Sequence, residues 1–561
     1  MTRHTRTSRS TGTTWRRWSR AALVATTLGA LVLPAVPARA GAAAPTAEAA
    51  VPRIDWQPCP GADGFDCARV RVPLDHDDPR GATLSLALSR ARATDPARRI
   101  GTLFLNPGGP GGSGVSFVQS VGKGLYSDEV RARFDLVGFD PRGVAGSTPL
   151  ECFDSQAEAQ AASAPFAFPV TEEQEQVWRA ADRRYAQACV RRAGAVLDHM
   201  STADVARDMD LLRRAVGDDR TTFAGYSYGS YVGSVYANLF PDKVRAIIID
   251  GVIDPVADAT GRSDEWRTLP VDARLESEEG AYRTLREFLR LCDRGGERCA
   301  FSGGDPAERY DRLAARLRAQ PVELPDGSGG TVRVRYSDLV ATTLGALYSP
   351  ASFPALAEYL QAVDEAADGR RVAAAAGAVS TNAVTRAEVS RADYEQGREG
   401  FLGVWCSDSL NPSRWSAWRD SARAADRRFP YFGRAWIFGS STCAFWPGQA
   451  ADRYLGPFDK PTAKPLLVVG TLYDPATRYQ DAVTTSRTLA SARLLTVRGW
   501  GHTSLGKSSC SDRYASRYLL TGALPPEGTR CEVDVVPFSR DSAAAELEAA
   551  GPALTWRPPA R

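Results

Sequence analysis

A chain of 561 residues is too long for one domain of ordinary size, and 43% hydrophobic with 24% charged residues excludes the disordered and fibrous classes. The formal charge of +3 misleads, because residues 1–40 hold seven arginines and no acid, and the remainder alone carries −4. A mildly acidic body has no electrostatic footprint for nucleic acid, so no nucleic-acid partner is expected.

Residues 1–40 read as an export signal: a basic stretch "MTRHTRTSRSTGTTWRRWSR", an apolar stretch "AALVATTLGALVLPAV", and Ala38-Arg39-Ala40 as the cleavage site. The alternative is a membrane anchor, but 16 residues are short for a span that needs about 20. Arg16-Arg17 suggests a twin-arginine signal, although Trp18-Ser19 fits that pattern poorly. Residues 41–53 form a flexible lead-in or a short pro-segment. The expectation is a secreted protein cut after Ala40, with no stable membrane insertion once the signal is gone.

Ten cysteines fit that address: Cys59, Cys67, Cys152, Cys189, Cys292, Cys299, Cys406, Cys443, Cys510 and Cys531. An even count in an exported chain favours disulfides, though sequence alone fixes no connectivity. Neighbour pairing (59–67, 152–189, 292–299, 406–443, 510–531) closes short loops and is the expected pattern. Histidine is scarce and no C-x-x-C occurs, so no metal and no cofactor are expected.

From about residue 84 the pattern alternates strand and helix. "TLSLALSRA" and "RIGTLFLNPGG" are strand-like, the second ending in a glycine-rich turn, and "RFDLVGFDPRG" is a buried strand with its own turn. "ADVARDMDLLRRAVG" has helical spacing and a stop at Gly217, and "TTFAGY", "GSYVGSVYANLF" and "VRAIIIDGV" follow as strand, helix and strand. Such alternation implies a mostly parallel sheet with helices on both faces. From about 253 to 445 it gives way to helical patterns such as "EEGAYRTLREFLRLC" and "FPALAEYLQAVDEAA", with a turn at "PDGSGG". An insert of about 190 residues exceeds any ordinary connection and reads as a cap. The sheet pattern resumes in "AKPLLVVGTLYDPAT" and "SARLLTVRGWGH".

"GYSYG" (225–229) fits G-x-S-x-G, in which a serine stands on a sharp strand-to-helix turn and the two glycines let strand and helix nearly touch. Its bland alternative is an ordinary turn serine, but both flanks are right for Ser227. A serine hydroxyl needs a base. His76 lies in a polar turn and His199 just before a helix, where local roles suffice, whereas His502 follows the last clear core strand in a glycine-bracketed loop. The acid that orients the imidazole lies between serine and histidine in hydrolases with this elbow. Asp474, just past a strand end and 28 residues before His502, fits, with an Asx turn to Pro475 as the alternative. Two backbone N–H groups must face the developing oxyanion. One should be Tyr228, after the nucleophile, and the other should come from "NPGGPGGSG" (106–114). That loop lacks the phosphate-loop and dinucleotide fingerprints, which leaves a merely tight turn as its rival.

In series, "FLNPGGPGGSG", "FDLVGFDPRG", "GYSYGSYVG", "VVGTLYDPATRY" and "GWGHTS" resemble the secreted tripeptidyl aminopeptidases of actinomycetes, relatives of prolyl aminopeptidases within the α/β-hydrolases. The resemblance runs from about 54 to 540. It implies an α/β-hydrolase core in 54–252 and 446–540, a helical cap in 253–445 and a tail in 541–561. It also implies Ser227 as nucleophile, His502 as base, Asp474 as its orienting acid, and Gly109 (with Gly108 as the alternative) as the second oxyanion donor. Asn106-Pro107 departs from prolyl aminopeptidases, which carry a histidine before the glycines, and leaves the choice of glycine open.

The implied substrates are peptides with free N-termini, whose charged amine needs a carboxylate in a partly dry pocket. The candidates are Asp254, Glu276, Glu278, Glu279 and Asp408, each also explicable as a solvated surface charge. Asp408 is preferred because it follows a buried-looking "FLGVWC", and Trp405 could supply an apolar wall or simply core. The expected function is a secreted serine exopeptidase that releases tripeptides. The alternatives are a carboxylesterase or lipase with the same triad, and a non-catalytic binding protein on the same fold.

Overall fold

The computed structural model describes residues 49–122, 124–325, 330–370 and 397–540. The export signal, most of the lead-in, the turn at 326–329 and the tail 541–561 lie outside the described residues.

Strands β1 (Gln57–Pro58), β2 (Asp66–Pro73), β3 (Thr83–Ala91), β4 (Gly101–Asn106), β5 (Phe134–Phe139), β6 (Thr221–Tyr226) and β7 (Val244–Asp250) come before the insert. A hairpin of β8 (Val322–Pro325) and β9 (Thr331–Val334) lies within it, and β10 (Leu466–Tyr473), β11 (Ala492–Trp500) and β12 (Arg530–Glu532) follow. One ten-stranded sheet runs β1-β2-β3-β5-β4-β6-β7-β10-β11-β12. It is antiparallel from β1 to β5 and parallel from β5 to β12. Strands β4, β5 and β6 are buried along their whole length, as continuous apolar runs in the middle of a covered parallel sheet should be. The antiparallel leader β2, "DCARVRVP", instead alternates buried and open residues.

Residues of alternate parity build two cores. Leu103, Leu105, Ala246, Ile248, Leu467 and Val469 pack with Phe117, Val118, Tyr518 and Leu519 of the helices Gly114–Val121 and Ser509–Thr521. Phe104, Phe223, Ile247, Ile249, Leu466 and Val468 pack on the other face against Val205, Met209, Leu212, Val232 and Val235 of the helices Thr202–Ala215 and Tyr228–Leu239. The layers are therefore helix, sheet and helix.

The chain leaves the sheet after Asp250 and pairs with it again at Leu467, opposite Ile248. Between them the described helices include Ser277–Gly295, Pro306–Ala319, Tyr336–Leu347, Phe353–Ala367, Gly397–Asp408 and Ser416–Arg428. Residues 446–465 carry neither helix nor strand, so the sheet resumes at Leu466, some twenty residues later than the cap boundary at 445 suggests. Val271, Leu275, Leu402 and Val404 of the insert join the core of the helix-sheet layers, while Phe288, Leu313, Leu339 and Phe353 form a second core that takes in Ala476 and Trp500. The insert thus rests on the loops after β10 and β11. Five disulfides close, each between sequence neighbours: Cys59–Cys67, Cys152–Cys189, Cys292–Cys299, Cys406–Cys443 and Cys510–Cys531. No helix of the described residues is long and apolar enough to cross a membrane.

Candidate active site

Ser227 sits between β6 and the helix Tyr228–Leu239 with φ 57° and ψ −124°. Such a backbone costs a non-glycine residue on the order of 1–3 kcal/mol and persists only where the surroundings enforce it. Here the Ser227 N–H donates to the Asp250 carbonyl at 2.9 Å, and its own carbonyl accepts from the Ser230 N–H at 2.8 Å and from the Ser230 hydroxyl. A Cβ on Gly225 would fall 2.1 Å from the Gly229 carbonyl oxygen, and one on Gly229 would fall 2.7 Å from that of Asn106. Both flanking glycines are thus required by contact, and the tight turn lifts the serine side chain off the sheet.

His502 lies beyond β11. Its Nδ1–H donates to both carboxylate oxygens of Asp474, each at 2.9 Å, which fixes the tautomer with its lone pair on Nε2. Asp474, 2% exposed, also accepts from the Ala476 and Thr477 N–H groups, the Thr477 hydroxyl and the Thr503 N–H. Burial pushes its carboxyl up, but the facing imidazole and these donors outweigh that and hold it below the usual range. His502 Nε2 is buried without a hydrogen-bond partner. The ring packs on Gly251, whose Cβ would lie 3.1 Å from the imidazole Cε1, and Tyr348 meets it edge-on at 5.1 Å. Because Gly251 follows the residue that holds the Ser227 N–H, the imidazole and the serine share one frame.

The two candidate donors of the glycine loop differ in their partners. The Gly108 N–H is taken by the Asn106 side-chain oxygen at 2.9 Å, and Gly108 abuts the elbow so closely that a Cβ would fall 2.7 Å from that of Ser227. Among the described residues, the N–H groups of Gly109 and Tyr228 donate to no protein acceptor. Asn106, the departure from the histidine of prolyl aminopeptidases, thus occupies the Gly108 N–H and leaves that of Gly109 uncommitted. Asp140 anchors the far end of the loop, accepting from the Ser113 hydroxyl at 2.6 Å and from the Val115 and Gly146 N–H groups.

Asp408 has other business than the expected amine contact. It is 3% exposed, and its two oxygens accept from the Thr202 N–H and hydroxyl, each at 2.6 Å. With its proton so placed, the Thr202 oxygen accepts from the Tyr228 phenol, so a buried chain runs from Tyr228 through Thr202 to Asp408. Desolvation drives the Asp408 carboxyl well above the ordinary carboxylate range. Asp254 caps the helix Pro255–Ala259 and pairs with Arg262, Glu276 pairs with Arg428 and Arg478, and Glu279 pairs with Arg478. Glu278 alone of the five keeps a buried oxygen with no hydrogen-bond partner, and desolvation pushes it up to about 8. If Asp408 acts through Tyr228, D408A should slow free-amine and N-acetylated substrates by the same factor, on the order of tenfold (about 1.4 kcal/mol). A loss confined to free-amine substrates, read from kcat/KM on the pair, would return it to amine binding.

Neither Thr477 nor Asp140 stood out in the sequence. The first is a hydroxyl three residues past the acid, and the second lies in "DPRG", legible only as a turn.

The family described as TAP-like protein matches residues 429–531, and that described as alpha/beta hydrolase fold matches 101–288. The chain is 33% identical over 515 residues to a tripeptidyl aminopeptidase of Streptomyces coelicolor, covering 89% of each. It is 33% identical over 501 residues to the serine protease Hip1 of Mycobacterium tuberculosis, covering 85% of this chain and 91% of that one. A carboxylesterase B of the same organism matches at 33% over 510 residues, covering 87% and 91%. An elbow serine, an imidazole held by a buried acid and two uncommitted N–H groups accompany these likenesses, and the chain belongs to the tripeptidyl aminopeptidase-like family of α/β-hydrolases, as a serine hydrolase.

Proposed function

We propose that the protein is an exported aminopeptidase that releases tripeptides from free N-termini through an acyl-enzyme on Ser227. The observation that carries this reading is the buried Asp474–His502 pair, with His502 Nε2 unpartnered in the frame that holds Ser227. His502 takes the Ser227 proton as the hydroxyl attacks the scissile carbonyl, and the N–H groups of Tyr228 and Gly109 receive the oxyanion. His502, now imidazolium and paired with Asp474, gives that proton to the departing amine. Water then enters, is deprotonated by the same nitrogen, and releases the peptide acid. Five disulfides suit an oxidising compartment, which supports export of the chain after cleavage past Ala40.

The amide-cleaving reading draws on two relatives with peptidase names, and the carboxylesterase reading on a third of equal identity. A tripeptide anilide and its N-acetylated twin separate them. Fast release from the free amine, with at least a hundredfold loss on acetylation, is expected of an aminopeptidase. Equal rates would mean that no amine is recognised. Release from neither, with turnover of a short acyl ester, would establish the carboxylesterase.

A further inference from the structure

The loop that carries His502 is held in an unfavourable shape. Gly501 has φ 88° and Thr503, a β-branched residue, has φ 63°. Its N–H groups are all engaged: Gly501 donates to the Tyr473 carbonyl, His502 to that of Tyr348, Thr503 to Asp474, and Ser504 to Asp250. Its carbonyls face a lysine. The Lys507 ammonium donates to the carbonyl of His502 and, at 3.0 Å, to that of Thr503. It also packs on Gly501, where a Cβ would sit 3.3 Å from Nζ. No carboxylate lies within ion-pair distance of this ammonium among the described residues, so its place is set by the two carbonyls.

We propose that Lys507 is a positioning residue for the reaction: its ammonium locks the His502 loop in its strained conformation, and with it the place of Nε2, and supplies the cation for the carboxylates beneath. This rests on reading Ser227, His502 and Asp474 as the catalytic set. The charged groups around it are Asp474 from the loop after β10, Asp250 at the end of β7, and His502 on the loop itself. Asp512 of the helix Ser509–Thr521 acts on Asp250 from behind. Tyr348 covers the imidazole from the insert.

Hydrogen bonds from an ammonium are about twice as strong as those from a neutral donor, so both carbonyl contacts weaken when Lys507 loses its proton. The same event leaves the buried Asp250 and Asp474, which repel each other, without their cation. A proton taken up by Asp474 would cost the imidazole its anionic partner. Burial lowers the ammonium from its ordinary value to about 8, against the neighbouring carboxylates, which raise it. A lysine depressed in the folded state becomes neutral there before it does in the unfolded chain, so between about pH 8 and 10.4 its loss of a proton adds to stability rather than subtracting from it. Activity and stability are then expected to part company above pH 8.

The test uses p-nitrophenyl acetate, which has no amine to titrate, with active sites counted by a fluorophosphonate label. The wild-type kcat is expected to fall through a limb near pH 8 while the thermal midpoint holds or rises. K507R, which cannot lose its charge there, should keep at least a third of the rate and lose that limb. K507M should be at least tenfold slower per labelled site at pH 7, flat through pH 8, with KM within twofold. A K507M enzyme at the wild-type rate overturns the proposal. So does a slow one whose limb stays in place, or one that K507R matches, since a merely structural lysine would do that. No label and no turnover by the wild type would instead sink the catalytic set itself.

Discussion

Replacing Ser227 by alanine should lower kcat about 10⁶-fold, the scale on which a serine hydrolase loses its nucleophile, and abolish labelling by fluorophosphonates. The fold should not notice. Alanine keeps the Cβ and the same positive φ, and the hydrogen bonds that hold residue 227 run through its backbone, from its N–H to Asp250 and to its carbonyl from Ser230. The melting temperature of S227A should therefore stay within about 2 °C of wild type, since a surface-scale change of about 0.5 kcal/mol moves a chain of this size little. S227G is the informative partner. Glycine enters this region of backbone space freely, so S227G should be equally inactive yet more stable by about 1 kcal/mol. If S227A retained more than a thousandth of the activity, another nucleophile would be at work. If S227G melted below S227A, the elbow would not be strained.

The second large effect belongs to Asp474. D474N replaces a carboxylate that accepts from five donors by an amide that must present its NH₂ to some of them, and it favours the wrong imidazole tautomer, with the proton on Nε2. A loss of about 10⁴ in kcat is expected. Stability should fall as well, with a signed pH dependence. Asp474 is held below its ordinary range, so its ionised form contributes stability that is fully present above the unfolded value of about 3.9 and is lost as pH falls through the folded one. Wild type should thus melt progressively lower in acid below about pH 4, and the gap to D474N should close there. A D474N enzyme within tenfold of wild type at pH 7 would mean that the imidazole is oriented by something else, for which the Thr477 hydroxyl, 3.5 Å from Nδ1, is the nearest candidate.

What the sequence yields about this molecule follows from the range over which its physics acts. The parallel strands β4, β6, β7 and β10 are apolar runs between turn residues, and burial on both faces leaves that mark locally. The elbow is legible because Gly225 answers a contact only four residues on, at the Gly229 carbonyl, and sits in a fixed pattern with Gly229, although Gly229 itself answers Asn106, far away in the chain. Strand order is not local, and nothing in "RFDLVGFDPRG" tells that β5 lies outside β4, next to an antiparallel leader. The leader itself alternates arginine with valine in "DCARVRVP" and is easily passed over as surface. Asp408 reads as a free carboxylate because its partner, Thr202, is 206 residues away in sequence. Lys507 lies in a serine-rich loop with no local mark of its role, since the two carbonyls that accept from its ammonium are presented to it only by the shape of that loop. The difference between Gly108 and Gly109 rests on one side-chain oxygen, that of Asn106, at the very position where the chain departs from the prolyl aminopeptidase pattern.

The interruption of the sheet after Asp250 bears on how the protein is made. Ser227 and both uncommitted N–H groups come from the first half of the chain, while Asp474 and His502 are encoded beyond more than two hundred further residues. On the proposed roles, a ribosome that has finished β7 has produced the serine without its base, and β10 cannot take its place beside β7 until the insert has been synthesised. By the same roles, a chain that stops before β11 lacks His502, the imidazole that Asp474 holds, and is expected to have no hydrolytic power. On that reading the order of the parts along the chain delays activity until nearly all of it has been made.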